Sequence, residues 1–143
     1  MNPAARRKAR KLAVQALYQW QMTGHSIVGI EGQFLADNDF KRTDSDYFKE
    51  LFCRAASTAE QLDAIFSEFS SRPLKEITPV ELSILRLATY ELSVRVDVPV
   101  AVAINEALDL TNAFGADDSN KFVNSILDKT AAKLRPNEAR PAE

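Results

Sequence analysis

Basic side chains are concentrated at the start of the chain. The first eleven residues contain five positive charges and no negative one, at Arg6, Arg7, Lys8, Arg10 and Lys11. These are five of the 18 Lys and Arg residues, so residues 12–143 hold the remaining 13 against 20 Asp and Glu. Cations gathered at one end of an otherwise acidic chain indicate a polyanion partner. The alternative is a solvated, disordered basic tail.

The angular positions of these charges favour a helical face over a tail. Angles are counted at about 100° per residue, with Arg6 at zero. Arg7, Arg10 and Lys11 then fall between about 40° and 140°, Arg6 lies at the margin of this arc, and Lys8 points elsewhere. The apolar stripe of the same helix occupies another arc, at Ala9, Leu12, Ala13, Ala16, Leu17 and Trp20. We therefore predict an exposed basic face that binds a polyanion; a solvated helix end is the alternative.

The aromatic ring of Tyr18 falls at about 120° in the same projection, on the basic face and away from the apolar stripe. A ring below a row of cations can stack on a base. It can also anchor a protein whose edge touches the same nucleic acid. Alternatively, another helix of the same chain covers Tyr18, and the angles alone do not separate these possibilities.

Signals that start and end helices recur along the chain, and no segment shows the alternation of period two that strands require. Asn2 and Pro3 can start the first helix, and Gly24 can end it. Thr78–Glu81 forms a capping box ahead of a helix that is apolar on most of its circumference, which predicts a central helix packed on several sides. The predicted helices are residues 3–23, 26–38, 44 or 45 to about 69 with one break near Ser57, 79–95, 99–115 and about 119–134.

These elements predict an all-α fold of about seven helices in two packed helical subdomains. The clearest internal boundary is the segment Ser70–Pro73. We expect an N-terminal subdomain at residues 1–72, which contains the basic first helix, and a C-terminal subdomain at residues 73–137. Residues 138–143 are expected to form a loose tail.

The sequence lacks a catalytic constellation. His25 is the only histidine and Cys53 the only cysteine, so no His or Cys cluster can bind a metal. The four glycines form neither a phosphate-binding loop nor a dinucleotide fingerprint. The adjacent Asp117 and Asp118, or Ser119 after them, are expected to cap the last helix rather than to act as an acid–base pair. We therefore predict a non-enzymatic protein that uses no cofactor and no metal.

Membrane insertion is not expected either. No apolar run approaches the ~20 residues that cross a bilayer. Gln15, Gln19 and Gln21 interrupt the segment after the basic start, which excludes the apolar core of a signal peptide. We expect a cytoplasmic protein without a membrane partner.

Several blocks of the sequence resemble the NusB family of bacterial transcription antitermination factors. They are Ala4–Arg10 with Ala13–Tyr18, Glu81–Leu92, Val98–Ala107 and Phe114–Asp128. The blocks lie in the order that the family shows, and the last is the most specific. The resemblance spans residues 1–137, and residues 27–43 match least. It implies an all-helical fold of two subdomains.

The resemblance also implies partners. NusB-family proteins act with the small-subunit ribosomal protein NusE, and the two together bind the boxA RNA of ribosomal RNA operons. RNA polymerase that carries this complex, with other Nus factors, resists premature, Rho-dependent termination. A role in ribosomal RNA maturation is implied as well. Some members form homodimers and others are monomers, which leaves the free state of this chain open.

Site residues follow by position from the same resemblance. The implied RNA-binding residues are Arg6, Arg7, Arg10, Lys121, Phe122 and Asp118, and the implied NusE-binding residues are Tyr18, Glu81 and Phe114. Asp118 would limit affinity, because its carboxylate repels phosphate. Other roles stay open from the residues alone. Glu81 completes the capping box, Phe122 lies at the edge of an apolar stripe, and Asp118 can cap its helix.

Two rival functions are retained. One is an accessory RNA-binding domain of a ribosomal RNA cytosine methyltransferase, which shares this fold but needs a catalytic domain for which this chain has no room. The other is a purely structural helical dimer that buries the basic helix against a second copy. The mass in solution and the binding of boxA RNA, measured on one sample, separate these functions.

Overall fold

The computed structural model describes residues 2–115 and 118–138. In this part of the chain the fold is all-α, as predicted, with seven α-helices, two short 3-10 turns and no strand. The α-helices are α1 (Pro3–Thr23), α2 (Ile27–Asp37), α3 (Ser45–Ser57), α4 (Ala59–Ser67), α5 (Pro79–Val94), α6 (Val100–Phe114) and α7 (Ser119–Leu134). The 3-10 turns are Leu74–Glu76 and Pro136–Glu138. The predicted cap Asp117, and residues 139–143 of the predicted tail, lie outside the described residues, whereas Glu138 belongs to the second 3-10 turn.

Helix α1 begins and ends where the sequence predicts. Asn2 Oδ1 accepts hydrogen bonds from the backbone N–H groups of Ala4 and Ala5, at 3.0 and 3.2 Å. Pro3 occupies the first helical position, where its missing N–H leaves no group unpaired. At the other end Gly24 adopts a left-handed φ of 69°. The basic start of the chain is therefore a capped helix and not a tail.

The long helical segment after residue 44 breaks once near Ser57, as predicted. Thr58 separates α3 from α4 and has φ −117° and ψ 24°, outside the helical region. Its hydroxyl donates a hydrogen bond to the Arg54 carbonyl at 2.6 Å. This side-chain bond satisfies a carbonyl at the end of α3, where the backbone leaves the helix.

Helix α5 is the central element, as predicted. Both hydrogen bonds of its capping box form: Glu81 N–H donates to Thr78 Oγ1 at 3.2 Å, and Thr78 N–H donates to Glu81 Oε1 at 3.1 Å. Residues 83–92 are buried, except that Arg86 is partly exposed. The helix contacts α1, α3, α4, α6 and α7. Because it is apolar on most of its circumference, it can join the N-terminal helices to the C-terminal ones.

Helix α7 begins without the predicted side-chain cap. Asp118 occupies the N-cap position, but its backbone is helical (φ −71°, ψ −19°) and its side chain makes no capping hydrogen bond. Ser119 is buried, and its hydroxyl donates to Glu81 Oε2 at 2.8 Å. The prediction that Asp118 or Ser119 caps this helix is therefore wrong. Asp118 is exposed, and Ser119 ties the start of α7 to α5.

One hydrophobic core runs through both halves of the described chain. Its fully buried members include Leu17, Phe48, Phe52, Leu85, Ile104 and Ile126. The division at residue 72 into two subdomains stays a prediction. No helix in the described ranges combines the length and the apolar character that crossing a bilayer requires.

Candidate nucleic-acid and protein interface

Two of the arginines predicted to line an exposed face are buried. Arg10 is 4% exposed, and its Nε and Nη2 lie 2.9–3.0 Å from the Glu91 carboxylate of α5. Arg6 is also buried, and its Nη1 lies 3.3 Å from Asp97 Oδ2. The predicted exposure of Arg6 and Arg10 is therefore wrong. Its physical reason is that α5 and the segment after it present carboxylates to this side of α1, which the apolar stripe did not reveal.

An aromatic ring supports the same buried cluster. The guanidinium carbons of Arg6, Arg95 and Arg10 lie 4.2, 5.0 and 5.6 Å from the centroid of the Tyr47 ring. The Tyr47 hydroxyl donates to Glu91, and burial together with this carboxylate raises the pKa of Tyr47. Burial alone would lower the pKa of Arg10, but its bond to Glu91 and the charge of Glu91 raise it overall. The cluster therefore holds α1 against α3 and α5.

The exposed cations of α1 are Arg7, Lys8 and Lys11. The Arg7 side chain is 61% exposed, although its Nε donates to Glu106 Oε1 of α6 at 3.1 Å. This hydrogen bond raises the pKa of Arg7. All three cations line a shallow groove between α1 and α6. The basic surface thus includes Lys8, which the angular projection left out, and lacks the two arginines that the projection included.

Tyr18 is partly exposed beside this basic surface. Its relative exposure is 40%, so complete cover by another helix, one alternative from the sequence, is wrong. It lines a groove of about 250 Å³ with Val14, Gln15, Val80 and Phe114. This groove, which we call the Tyr18 groove, lies between α1, the start of α5 and the end of α6. Lys11 Nζ lies 5.8 Å from the Phe114 ring centroid, so the basic surface continues into the groove.

Glu81 is buried and does not line the Tyr18 groove. It is 3% exposed and accepts hydrogen bonds from Thr78, Arg72 and Ser119. Burial alone would raise the pKa of this carboxyl, but the hydrogen bonds from Ser119, Thr78 and Arg72 lower the pKa overall. The capping role that the sequence left open is confirmed. The implied contact with NusE stays a prediction, and the α5 residue that lines the groove is the adjacent Val80.

Phe122, Lys121 and Asp118 lie at the start of α7, where Arg72 joins them from the α4–α5 connection. Phe122 is partly buried against the core, as its position at the edge of the apolar stripe predicts. The Arg72 guanidinium carbon lies 3.5 Å from the Phe122 ring centroid. Arg72 Nη1 and Nη2 also donate to the two Glu81 carboxylate oxygens at 3.0 and 3.4 Å. Lys121 and Asp118 are exposed.

A model of the NusB family matches residues 7–132. The chain belongs to the NusB family. A curated relative from Idiomarina loihiensis, named transcription antitermination protein NusB, is 54% identical over 136 residues, 95% of this chain and 98% of that protein. A relative of the same name from Shewanella halifaxensis is 53% identical over 135 residues, 94% of this chain and 100% of that protein. Membership of the NusB family agrees with the prediction of a non-enzymatic protein.

Solved structures agree with the NusB fold. A NusB structure from T. maritima is 28% identical, with a TM-score of 0.79, and covers 92% of this chain and 94% of that one. A crystal structure of the antitermination factors NusB and NusE in complex with double-stranded RNA is 24% identical, with a TM-score of 0.81. The match covers 89% of this chain and 96% of that one, and it bears on the fold alone.

Three residues that sequence reasoning missed organise the surface of this NusB-family chain. Glu91 holds Arg10, Glu106 holds Arg7, and Arg72 lies over Phe122. The sequence could have indicated a cationic partner for Glu91, because a carboxylate in an almost wholly apolar helix needs a partner when it is buried. No sequence pattern indicated the contacts of Glu106 with Arg7 or of Arg72 with Phe122, since these contacts join segments that are far apart in the sequence.

Proposed function

We propose that this chain is a transcription antitermination factor that binds RNA together with NusE. The proposal is supported by relatives at 54 and 53% identity that are named transcription antitermination proteins. NusE and RNA are the proposed partners because a NusB of the same fold has been solved in complex with NusE and double-stranded RNA. We further propose boxA RNA of ribosomal RNA operons as the target and suppression of Rho-dependent termination as the outcome. Support of ribosomal RNA maturation, and assembly with other Nus factors and RNA polymerase, belong to the same proposal.

The observation that carries the proposal is the continuity of a cationic and an apolar surface on α1. Arg7, Lys8 and Lys11 are exposed, and Lys11 reaches the ring of Phe114 in the Tyr18 groove. Cations that neutralise phosphates release counterions, which gives affinity that falls with salt. Charges alone do not select a sequence, because RNA sequence is recognised on splayed, single-stranded bases. Base selection by this chain therefore requires NusE or aromatic contacts in addition.

The Tyr18 groove is the proposed docking site for NusE. Tyr18 and Phe114 present aromatic surface to it, and buried aromatic anchors dominate the energy of many protein interfaces. Glu81 acts on this interface indirectly, since its capping box fixes the start of α5 and thereby the position of Val80. Lys11, at the rim, places RNA phosphates and the bound protein side by side.

The start of α7 is the second part of the proposed RNA surface. Lys121 contacts phosphate, Phe122 offers an aromatic edge, and the exposed carboxylate of Asp118 opposes phosphate and limits affinity. Arg6 and Arg10 remain predicted RNA residues. Their pairs with Asp97 and Glu91 point to a positioning role, in which they hold α1 so that its exposed cations face the RNA.

A gel shift with boxA RNA, with and without NusE and across a salt series, tests the proposal. We expect tight binding with NusE, weaker binding of a scrambled RNA, and affinity that falls steadily as salt rises. The mass of the free chain is measured on the same sample. A stable dimer that binds no RNA, with or without NusE, would support the structural-dimer function instead.

A further inference from the structure

The guanidinium of Arg72 lies over an aromatic ring and is partly exposed. Its central carbon is 3.5 Å from the centroid of the Phe122 ring, which is the distance of two stacked planes. Two of its nitrogens donate to the two oxygens of Glu81, which is itself held by Thr78 and Ser119. The Arg72 guanidinium is therefore held by a ring on one side and by a carboxylate at its nitrogens.

Part of the Arg72 side chain remains exposed in this arrangement. The guanidinium lies against Phe122 and its nitrogens meet Glu81, yet 33% of the side chain is exposed. These two contacts therefore leave Arg72 accessible to a ligand. Arg86 shows the contrast: it pairs with both oxygens of Asp63 at 2.7 and 2.8 Å, but its side chain is only 11% exposed.

We propose that the outer face of Arg72 is a stacking platform for one unpaired base of the RNA. The inference rests on the proposed RNA-binding function and deepens it by naming a residue that contacts a base. Single-stranded bases stack on guanidinium planes as well as on aromatic rings, and a plane that is already fixed loses little freedom on binding.

The surroundings of Arg72 fit this role better than simple attraction of phosphate. The Glu81 carboxylate offsets the Arg72 charge at 3.0 Å, so Arg72 contributes a flat surface more than a free positive charge. Lys121, the residue before Phe122, is exposed at the same end of α7 and forms no ion pair with a carboxylate of the described residues, so its charge is offered to the adjoining phosphate. One RNA strand can therefore place a base on Arg72 and the adjoining phosphate at Lys121.

A double-mutant cycle that combines Arg72→Lys with single abasic sites in the RNA tests whether Arg72 stacks on a base. Single abasic sites are placed at each position of the boxA RNA in turn, and each RNA is titrated with the wild-type or variant chain bound to NusE. Lysine keeps the charge and can still pair with Glu81, but it has no planar face. We expect Arg72→Lys to weaken binding of the intact RNA about tenfold, and this loss to vanish at one abasic position only.

Arg86→Lys is the matched control. It removes a similar bidentate pair, between Arg86 and the Asp63 carboxylate, at a side chain that is only 11% exposed. It should lower the melting temperature and leave RNA affinity unchanged. An equal loss at every abasic position, or no loss on intact RNA, overturns the platform. So does weaker binding of NusE by Arg72→Lys without RNA. A wild-type chain that fails to bind RNA refutes the proposed function itself, before any variant is measured.

Discussion

Cations lie at the start of α1 and around the start of α7, but the two regions use their charges differently. On α1, Arg6 and Arg10 are buried against carboxylates, and even the exposed Arg7 shares a hydrogen bond with Glu106. At α7, Lys121 is exposed and Arg72 is spread over an aromatic ring. The number of charges in a segment therefore says little about how many of them can reach a phosphate.

The difference teaches that arginine serves two purposes in one surface. A buried arginine with a carboxylate and an aromatic ring fixes one helix against another, as Arg10 does with Glu91 and Tyr47. An exposed lysine stays hydrated and flexible, so its ammonium group is available to bind an RNA phosphate.

Arg10→Ala should have the largest effect, on stability. The variant leaves the fully buried Glu91 carboxylate without its cation, so we expect the free energy of unfolding to fall by about 3–5 kcal/mol. Chemical denaturation measures this change. Arg7→Ala, one turn earlier on the same helix, is the control and should weaken RNA binding with almost no change in stability. The opposite pattern in the two variants would assign RNA contact to Arg10.

Tyr18→Asp should have the next largest effect, on the protein partner. A charge in the Tyr18 groove opposes the burial of apolar surface there, so we expect NusE affinity to fall at least about 30-fold. Calorimetric titration with NusE measures the loss, and Tyr18→Phe should retain most of the affinity. If Tyr18→Asp lowers the melting temperature as severely as it lowers affinity, the ring belongs to the core and not to an interface.

Glu106→Gln should raise RNA affinity about two- to fivefold at low salt, because it frees Arg7 for phosphate. The gain should shrink as salt screens the charges. Asp109→Asn is the matched control, since Asp109 acts on Arg7 through charge without a hydrogen bond. Equal gains in the two variants would mean that only the net charge of α6 matters.

Asp118→Asn should have the smallest effect, a rise in RNA affinity of about twofold, because the carboxylate is exposed and screened. A fluorescence-anisotropy titration resolves a change of this size. Glu60→Gln, an exposed carboxylate on α4, serves as the control and should leave affinity unchanged. No difference between the two variants would remove Asp118 from the RNA surface.

Local signals predicted the fold well. The caps at Asn2 and Thr78 lie within three residues of the groups that they bind, so sequence alone located the starts of α1 and α5. The apolar circumference of α5 likewise predicted its central position. The cap of α7 was mispredicted at Asp118, since the start of that helix is fixed by a tertiary bond between Ser119 and Glu81.

The site was predicted only in part. The angular position of Tyr18 identified a ring that is indeed partly exposed. The burial of Arg6 and Arg10 depends on carboxylates from α5 and the segment after it, and their positions follow from packing rather than from periodicity. The pairing of Arg72 with Phe122 has the same origin, because it joins a loop to a distant helix.

We expect the exposed cations of α1, and not the buried ones, to hold the RNA. The slope of log affinity against log salt measures this, with boxA RNA and NusE, for the wild type and for Lys8→Ala combined with Lys11→Ala. Removing one lysine–phosphate pair with single-stranded RNA reduces the slope by about 0.7, so we predict that the double variant has a slope smaller by about 1.4 and unchanged stability. An unchanged slope would mean that Lys8 and Lys11 do not contact RNA phosphates.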